Sequence, residues 1–167
     1  SASTSQKPLA VIEALDSYYR TYNANVHRGI YDISERATAA YEGARGRIAG
    51  FINSPESPTL INVRNATEAI NLVAYAWGRA NVREGDLLVA TELEHHANLV
   101  PWQLLAAERK ARLEFIPITD EGILRQDVYE QLLAQRPRLV AFTHVSNTLG
   151  TINPVAEMTA KIGRAHV

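Results

Sequence analysis

The residues best suited to chemistry lie at 91–102, Thr-Glu-Leu-Glu-His-His-Ala-Asn-Leu-Val-Pro-Trp, directly after an apolar run at 87–90. The pattern predicts a strand that ends here, two histidines in the loop after it, and a helix that begins near Asn98 and Pro101. In open α/β sheets, ligands bind beyond the carboxyl ends of the strands, where loops converge and helix N-termini attract anions. This stretch is therefore the first candidate for an active site.

The histidine pair allows three interpretations. An imidazole at a strand end can stack on a planar ligand or transfer protons near neutral pH. Alternatively the pair is structural, with one of His95 and His96 capping the helix and the other solvated. The third interpretation is a metal site with Glu92 and Glu94, but adjacent histidines point in different directions and the i, i+4 spacing of the helical zinc motif is absent. The first two interpretations stay open, and no metal site is expected.

A second candidate lies after a predicted strand at 59–64. A helix that begins near Thr67 would present a hydroxyl and free backbone N–H groups, which together can hold a phosphate. An ordinary N-cap by Thr67, with Glu68 in the first turn, explains the same residues without any ligand.

Two further sites carry polar groups of the right type. After a predicted strand at 139–144, Asn147 can donate its amide N–H to a phenolate or carboxylate oxygen, or it forms only an Asx-turn. Outside the predicted sheet, His27 and Arg28 place a proton carrier beside a guanidinium that binds carboxylates, or they are ordinary surface residues.

The elements that must position these residues follow a clear order. Two amphipathic helices are predicted first, over 8–22 and 34–53, joined by a loop and the second capped by Ser34. Turn residues at 54–58 separate them from an alternation of strands and helices. The strands are predicted at 59–64, 87–91, 112–118 and 139–144, and the helices at 67–80, 99–109, 126–135 and from Pro154. Such alternation predicts an α/β fold with a parallel sheet and right-handed crossovers.

Composition excludes several classes of protein. The 167 residues are 46% hydrophobic and 21% charged, with a net charge of -1 and no basic stripe, so neither nucleic acid nor a membrane surface is an expected partner. There is no apolar run of about 20 residues and no signal-peptide pattern at the start, which predicts a cytosolic protein. The absence of cysteine excludes disulfides, thiolate metal sites and cysteine nucleophiles within these residues.

Five segments together resemble the pyridoxal-phosphate enzymes of the class V aminotransferase family, and within it the cysteine desulfurases and the similar selenocysteine lyases. The segments are residues 5–8, 25–30, 66–74, 94–102 and 144–151. They occur in order and at family-like spacing over residues 1–158. The resemblance implies the parallel-sheet large domain of a fold type I enzyme, preceded by N-terminal helices and acting as a homodimer.

The resemblance also implies roles for individual residues. Thr67 and the backbone of Ala66 correspond to the phosphate cradle of pyridoxal 5′-phosphate, and His95 to the catalytic residue stacked on its ring. Asn147 corresponds to the partner near the phenolic oxygen and the substrate, and His27 to a substrate-side group. The substrate implied is cysteine or selenocysteine, with a sulfur-acceptor protein as a further partner.

This sequence departs from the family pattern in one segment and lacks another. The usual Gly-Thr-Thr of the cradle is Asn-Ala-Thr at 65–67, which is expected to weaken phosphate binding by one hydroxyl while a backbone N–H remains. The family's acidic pyridinium partner, Schiff-base lysine and nucleophilic cysteine all lie C-terminal to the matched region. The chain is therefore predicted to be an N-terminal fragment that is inactive by itself.

The predicted organisation has three parts. Residues 1–53 form the N-terminal helical segment, and residues 54–161 form the first part of the cofactor-binding domain. Residues 162–167, Ile-Gly-Arg-Ala-His-Val, depart from the apolar pattern expected of a continuing helix. We interpret them as a non-native tail, translated from a sequencing adapter, and assign His166 no function.

Overall fold

The computed structural model describes residues 4–54 and 59–165, with side chains described as far as residue 163. It divides into two compact units, Ser1–Asn62 and Val63–Val167. None of the helices in the described ranges combines the length and apolar character needed to cross a membrane.

The first unit is built from two helices, α1 (Leu9–Thr21) and α2 (Asp32–Phe51). The prediction that Ser34 caps α2 was wrong, because Tyr31 is the N-cap residue. The side chain of Ser34 is instead buried inside the first turn, and its hydroxyl donates to the carbonyl of Asn25 at 2.8 Å. The hydroxyl therefore ties the loop before α2 to the helix.

The second unit contains the sheet and the remaining helices. α3 (Ala66–Val73) continues through a π-helical turn (Ala74–Gly78) into the short α4 (Arg79–Asn81). The elements that follow are β1 (Leu87–Thr91), a 3-10 turn (His96–Asn98), α5 (Val100–Arg109), β2 (Arg112–Ile116), α6 (Gln126–Ala134), β3 (Leu139–Val140) and α7 (Val155–Ala165).

The sheet has the order β2-β1-β3, and both pairings are parallel. Leu88 in β1 aligns with Leu113 on one side and Leu139 on the other. Every residue of β1 is buried, which is the pattern of a strand covered on both faces by helices. The predicted parallel α/β fold is confirmed.

Alternate residues of β1 enter different apolar clusters, because successive side chains of a strand point to opposite faces. Leu87 and Val89 pack with Ile116, Tyr129 and Met158, among other residues. On the opposite face, the cluster contains Leu88, Ala74, Trp102, Leu105 and Ala141. Burial of each large apolar side chain stabilises the fold by about 1.5–3 kcal/mol. Because β1 contributes side chains to both clusters, it stabilises the core on both faces of the sheet.

Three strand predictions need correction, and the smallest change is that β2 ends at Ile116 and not at residue 118. Residues 59–64 form no strand, because a strand requires a neighbour to share its backbone hydrogen bonds and no described segment pairs with them. The carbonyl of Leu60 instead accepts from the guanidinium of Arg45 at 3.2 Å. β3 is also shorter than predicted, since it stops at Val140, and Ala141 donates to the carbonyl of Val89 as the chain leaves the sheet.

The last helix continues beyond the point where the apolar pattern weakens. α7 runs to Ala165, and Ile162 packs against the cluster around Met158. His166 lies outside the described residues.

Tyr129 provides a test of this packing. Its side chain is fully buried, and its hydroxyl donates to the carbonyl of Met158 at 2.8 Å, which joins α6 to α7. We expect Tyr129→Phe to lower the free energy of unfolding by about 1 kcal/mol in denaturant titrations. The control Tyr75→Phe removes an exposed hydroxyl and keeps the ring on which Arg79 stacks. Equal losses in the two variants would contradict the role of the buried hydrogen bond.

The same substitution carries a pH signature. Burial raises the pKa of Tyr129 to about 12 from an ordinary value of 10. A raised pKa in the folded state means that the stabilisation is complete below the unfolded-state pKa and is lost as the pH rises through the folded-state value. The parent protein should therefore lose more stability than Tyr129→Phe between about pH 10 and pH 12.

Candidate functional site

His95 lies in the loop that leaves the carboxyl end of β1. The backbone N–H of Ala97 donates to its Nδ1 at 3.1 Å, so His95 is the N-cap of the 3-10 turn. Because Nδ1 accepts this bond, the neutral ring carries its proton on Nε2. The bond lies in the plane of the ring and the side chain is exposed, so capping leaves Nε2 and the ring faces available to a ligand.

His96 is the first residue of the 3-10 turn and is exposed. Its ring meets that of His95 edge to face, with centroids 6.1 Å apart and planes at 84°. The nearby acidic residues are turned elsewhere, since Glu92 accepts from the N–H of Ile118 and Glu94 from Thr91 and other donors. Within the described ranges, no three His, Cys, Asp or Glu side chains are grouped closely enough to hold a metal ion.

The start of α3 differs from the predicted cap. Asn65, not Thr67, is the N-cap residue, and its side-chain oxygen accepts from the N–H of Glu68 at 2.9 Å. Glu68 reaches back to the backbone N–H of Arg64 at 2.8 Å and to its guanidinium. The side-chain hydrogen bond from Arg64 holds the pKa of Glu68 below its usual value, so this contact persists at neutral pH and weakens in acid.

This cap leaves a set of donors without an acceptor among the described residues. The first backbone hydrogen bond of the helix runs from Ala69 to Asn65, so the N–H groups of Ala66 and Thr67 have no acceptor within α3. The Thr67 side chain is exposed, and its hydroxyl has no partner among the described residues. Two N–H groups and one hydroxyl at a helix N-terminus can bind a phosphate or carboxylate group.

Asn147 lies in the loop that follows β3. The turn at this position is not the Asx-turn that was predicted as an alternative role of Asn147. The hydroxyl of Ser146 accepts from the N–H groups of Thr148 and Leu149, at 3.3 and 3.2 Å. Within the described part of the chain, the amide of Asn147 makes only a 3.5 Å contact with the Thr148 hydroxyl, and it is exposed, so it is available to a ligand.

The topology brings three of the predicted positions to one region of the second unit. His95 and Asn147 follow the carboxyl ends of β1 and β3, which are adjacent parallel strands. α3 lies beside the 3-10 turn that His95 caps. A cleft of about 390 Å³ lies beside α3, α5 and β3, but Thr67, His95 and Asn147 are not among its lining residues, which are Ala69, Ile70, Val73, Asn98, Trp102, Leu139, Val140, Ala141 and Phe142.

His27 belongs to the first unit. Its backbone lies in the left-handed region with a φ of 63°, held by an N–H donated to the Thr38 hydroxyl at 3.0 Å. The ring Nε2 lies 2.9 Å from a carboxylate oxygen of Glu42, which also accepts from the guanidinium of Arg45. His27 is thus oriented by a carboxylate, which the sequence pattern of His27 with Arg28 did not indicate.

Three residues that shape these loops were not predicted from the sequence, namely Asn65, Glu94 and Ser146. Asn65 was hidden because Thr67 also suits an N-cap, and Ser146 because Asn147 also suits a turn. Glu94 was weighed only as a metal ligand, although it contacts three separate segments.

Comparison with known proteins gives a consistent result. A family model described as "Aminotransferase class-V" matches residues 1–167. A probable cysteine desulfurase of Halalkalibacterium halodurans is 49% identical over 166 residues, and a cysteine desulfurase of Synechococcus elongatus is 50% identical over 157 residues. These matches cover 99% and 94% of this chain, but the chain spans only 41% and 25% of the length of those relatives.

A solved structure shows the same arrangement. The apo structure of a cysteine desulfurase from Thermococcus onnurineus NA1 superposes with a TM-score of 0.93 at 40% sequence identity. The superposition covers 99% of this chain and 41% of that one.

The N-cap at Asn65 can be tested by a graded pair of substitutions. Asn65→Ala removes the oxygen that accepts from Glu68, and we expect it to lower the free energy of unfolding by about 1 kcal/mol. Asn65→Gly should cost only a few tenths of a kcal/mol, since glycine is itself a tolerated N-cap residue. Denaturant titration of both variants measures the difference, and a glycine variant as unstable as the alanine variant would contradict the assignment.

Proposed function

Because this chain belongs to the class V aminotransferase family, we propose that it is the N-terminal part of a pyridoxal-phosphate-dependent cysteine desulfurase. Such an enzyme converts cysteine to alanine and leaves the sulfur as a persulfide on an enzyme cysteine, for iron–sulfur cluster assembly. The observation that carries the proposal is the set of unused donors at Ala66 and Thr67, beside the turn capped by His95. The named relatives support it, since each is described as a cysteine desulfurase or a probable one.

The donors of this chain fit the cofactor. Pyridoxal 5′-phosphate, when bound, supplies a planar electron sink for bond cleavage at the substrate. Its phosphate is a dianion that requires several donors, and the N–H groups of Ala66 and Thr67 with the Thr67 hydroxyl provide them at the positive end of the α3 dipole. The Asn65 cap supports this arrangement, because it satisfies the Glu68 N–H and leaves the two preceding N–H groups open.

His95 is assigned two tasks by this proposal. Its ring covers one face of the cofactor, and its free Nε2 holds or moves a proton at the substrate. The hydrogen bond from Ala97 to Nδ1 fixes both the orientation of the ring and the position of its proton. Asn147, whose amide has only a weak partner, donates an N–H to the phenolic oxygen of the cofactor or to the substrate.

His27 is proposed as the substrate-side group. Glu42 orients its imidazole through the 2.9 Å contact at Nε2, which suits a ring held in place beside an amino-acid substrate. The held left-handed backbone at His27 supports a functional role, because such conformations persist where surrounding contacts enforce them.

The remaining groups of the reaction are assigned to the part of the protein beyond this chain. The lysines here are Lys7 before α1, Lys110 after α5 and Lys161 on α7, and none follows the carboxyl end of a strand. There is no cysteine. We propose that the Schiff-base lysine, the acidic partner of the pyridinium nitrogen and the nucleophilic cysteine lie in the part of the protein beyond this chain. A homodimer and a sulfur-acceptor partner stay predictions from the family resemblance, and a cytoplasmic location stays a prediction from the sequence pattern.

Turnover by the complete protein tests the proposed function. The protein is expressed from its full gene, loaded with pyridoxal 5′-phosphate, and supplied with cysteine or selenocysteine in the presence of a thiol. We expect alanine and sulfide from cysteine. Alanine from selenocysteine alone would identify a selenocysteine lyase instead, and failure to bind the cofactor would favour a non-catalytic binding module.

The capping hydrogen bond of His95 and its proposed contact with the cofactor can be separated by substitution. In the complete enzyme, His95→Asn keeps a side-chain acceptor for the Ala97 N–H but removes the imidazole ring. We expect its thermal midpoint to stay near the parental value while kcat falls about a hundredfold. His95→Ala loses the cap as well, so both properties should decline.

His96→Asn is the matched control, and its kcat should stay near the parental value. The structural interpretation of His95 would be favoured instead if His95→Asn kept its kcat while His95→Ala lost stability and activity together.

A further inference from the structure

The carboxylate of Glu94 contacts three segments. They are the end of β1, the 3-10 turn before α5 and the loop after β3. Its Oε1 accepts from the hydroxyl of Thr91 at 2.7 Å and from the backbone N–H of Thr143 at 2.8 Å. Its Oε2 accepts from the side-chain amide of Asn98 at 2.7 Å. All three partners are donors. A carboxylate can satisfy all of them, because both of its oxygens accept hydrogen bonds.

The direction of this network is fixed by an indole. Trp102 is buried, and its Nε1–H can only donate, which it does to the side-chain oxygen of Asn98 at 3.0 Å. The Asn98 amide must therefore turn its NH₂ group toward Glu94. A reversed amide would place its NH₂ group against the indole N–H and its oxygen against the carboxylate, so no second arrangement satisfies all four groups.

Each end of the network supports one of the site loops. Asn98 is the last residue of the 3-10 turn whose N-cap is His95. Thr143 lies near the start of the loop that carries Asn147, and its carbonyl accepts from the side chain of Asn153 at 2.8 Å, which closes that loop at its base. Glu94 thus lies between the two loops, anchored to β1 through Thr91.

We propose that Glu94 is a positioning residue, which holds the turn capped by His95 and the loop carrying Asn147 at a fixed separation through Asn98 and Thr143. The proposal deepens the proposed function and rests on it for its catalytic consequence. Its structural part concerns hydrogen bonds within the second unit and can be measured without cofactor or substrate.

An amide at this position cannot replace the carboxylate. In Glu94→Gln, one orientation of the new amide sets its NH₂ group against that of Asn98, and the other sets it against the N–H of Thr143. One pair of donors therefore faces another in either orientation, and a buried or half-buried donor without an acceptor is costly. Adding Asn98→Asp restores a complete pattern, because the new carboxylate accepts both from the amide introduced at position 94 and from the Trp102 indole.

The experiment compares Glu94→Gln, the double variant E94Q/N98D and the control Glu92→Gln in the complete protein without cofactor. Glu92 is a matched control because it is two residues away and accepts a backbone N–H from the β2 side, at Ile118. Hydrogen exchange of the Thr143 amide reports one end of the network. The indole resonance of Trp102, identified with Trp102→Phe, reports the other.

We expect the Thr143 amide of Glu94→Gln to exchange at least about tenfold faster than in the parent, since a hydrogen bond to a charged acceptor is lost or weakened. The indole resonance should move upfield. In the double variant, exchange should slow toward the parental rate and the resonance should return to or beyond its parental position. Glu92→Gln should change neither.

A double variant that exchanges like Glu94→Gln, or that fails to fold while Glu92→Gln folds, overturns the proposal, because the pattern of donors and acceptors then does not hold the loops. If Glu94→Gln is unfolded and the double variant folds, the restored pattern supports it.

With the cofactor bound, Glu94→Gln should lower kcat about tenfold with a smaller change in KM for cysteine, and the double variant should recover most of the loss. Rescue of exchange without any cysteine turnover in the parent would refute the proposed function alone. Turnover in the parent with an unchanged kcat in Glu94→Gln would refute the positioning role alone.

Discussion

Burial of β1 on both faces is the constraint on which the second unit depends. Its alternate side chains enter two apolar clusters, and its backbone is paired with β2 and β3. A strand held in this way has no freedom in register, so the point at which it ends is fixed. That point is Thr91, whose hydroxyl donates a hydrogen bond to the carboxylate of Glu94. The position of the site loops thus follows from packing in the core.

A second constraint is the demand of a helix N-terminus for acceptors. In α3 the cap comes from Asn65, where the family pattern has glycine, and the following Ala66 lacks the hydroxyl that the family pattern supplies. Under the proposed function, this difference removes one hydroxyl donor for the phosphate and gives α3 a better N-cap. Asparagine stabilises an N-cap more than glycine does, whereas the N–H groups that face an anion are backbone groups and are unaffected by the substitution.

The sequence predicts those parts of the fold that local patterns determine. The continuous apolar run at 87–90 predicted a strand over 87–91, which are the observed bounds of β1, and three-to-four spacing located the helices. Residues 59–64 have a strand pattern but no partner among the described residues, so pairing, which is not local, decided against a strand. The contacts of Glu94 were equally hidden, because they join Thr91 and Asn98 to Thr143, about fifty residues away in the chain.

The most direct test of the central claim is a crystal structure of the complete protein with pyridoxal 5′-phosphate. We expect the phosphate to accept from the N–H groups of Ala66 and Thr67 and from the Thr67 hydroxyl, with the ring of His95 parallel to the pyridine ring. A phosphate bound away from the start of α3, or a His95 ring turned away from the cofactor, would contradict it.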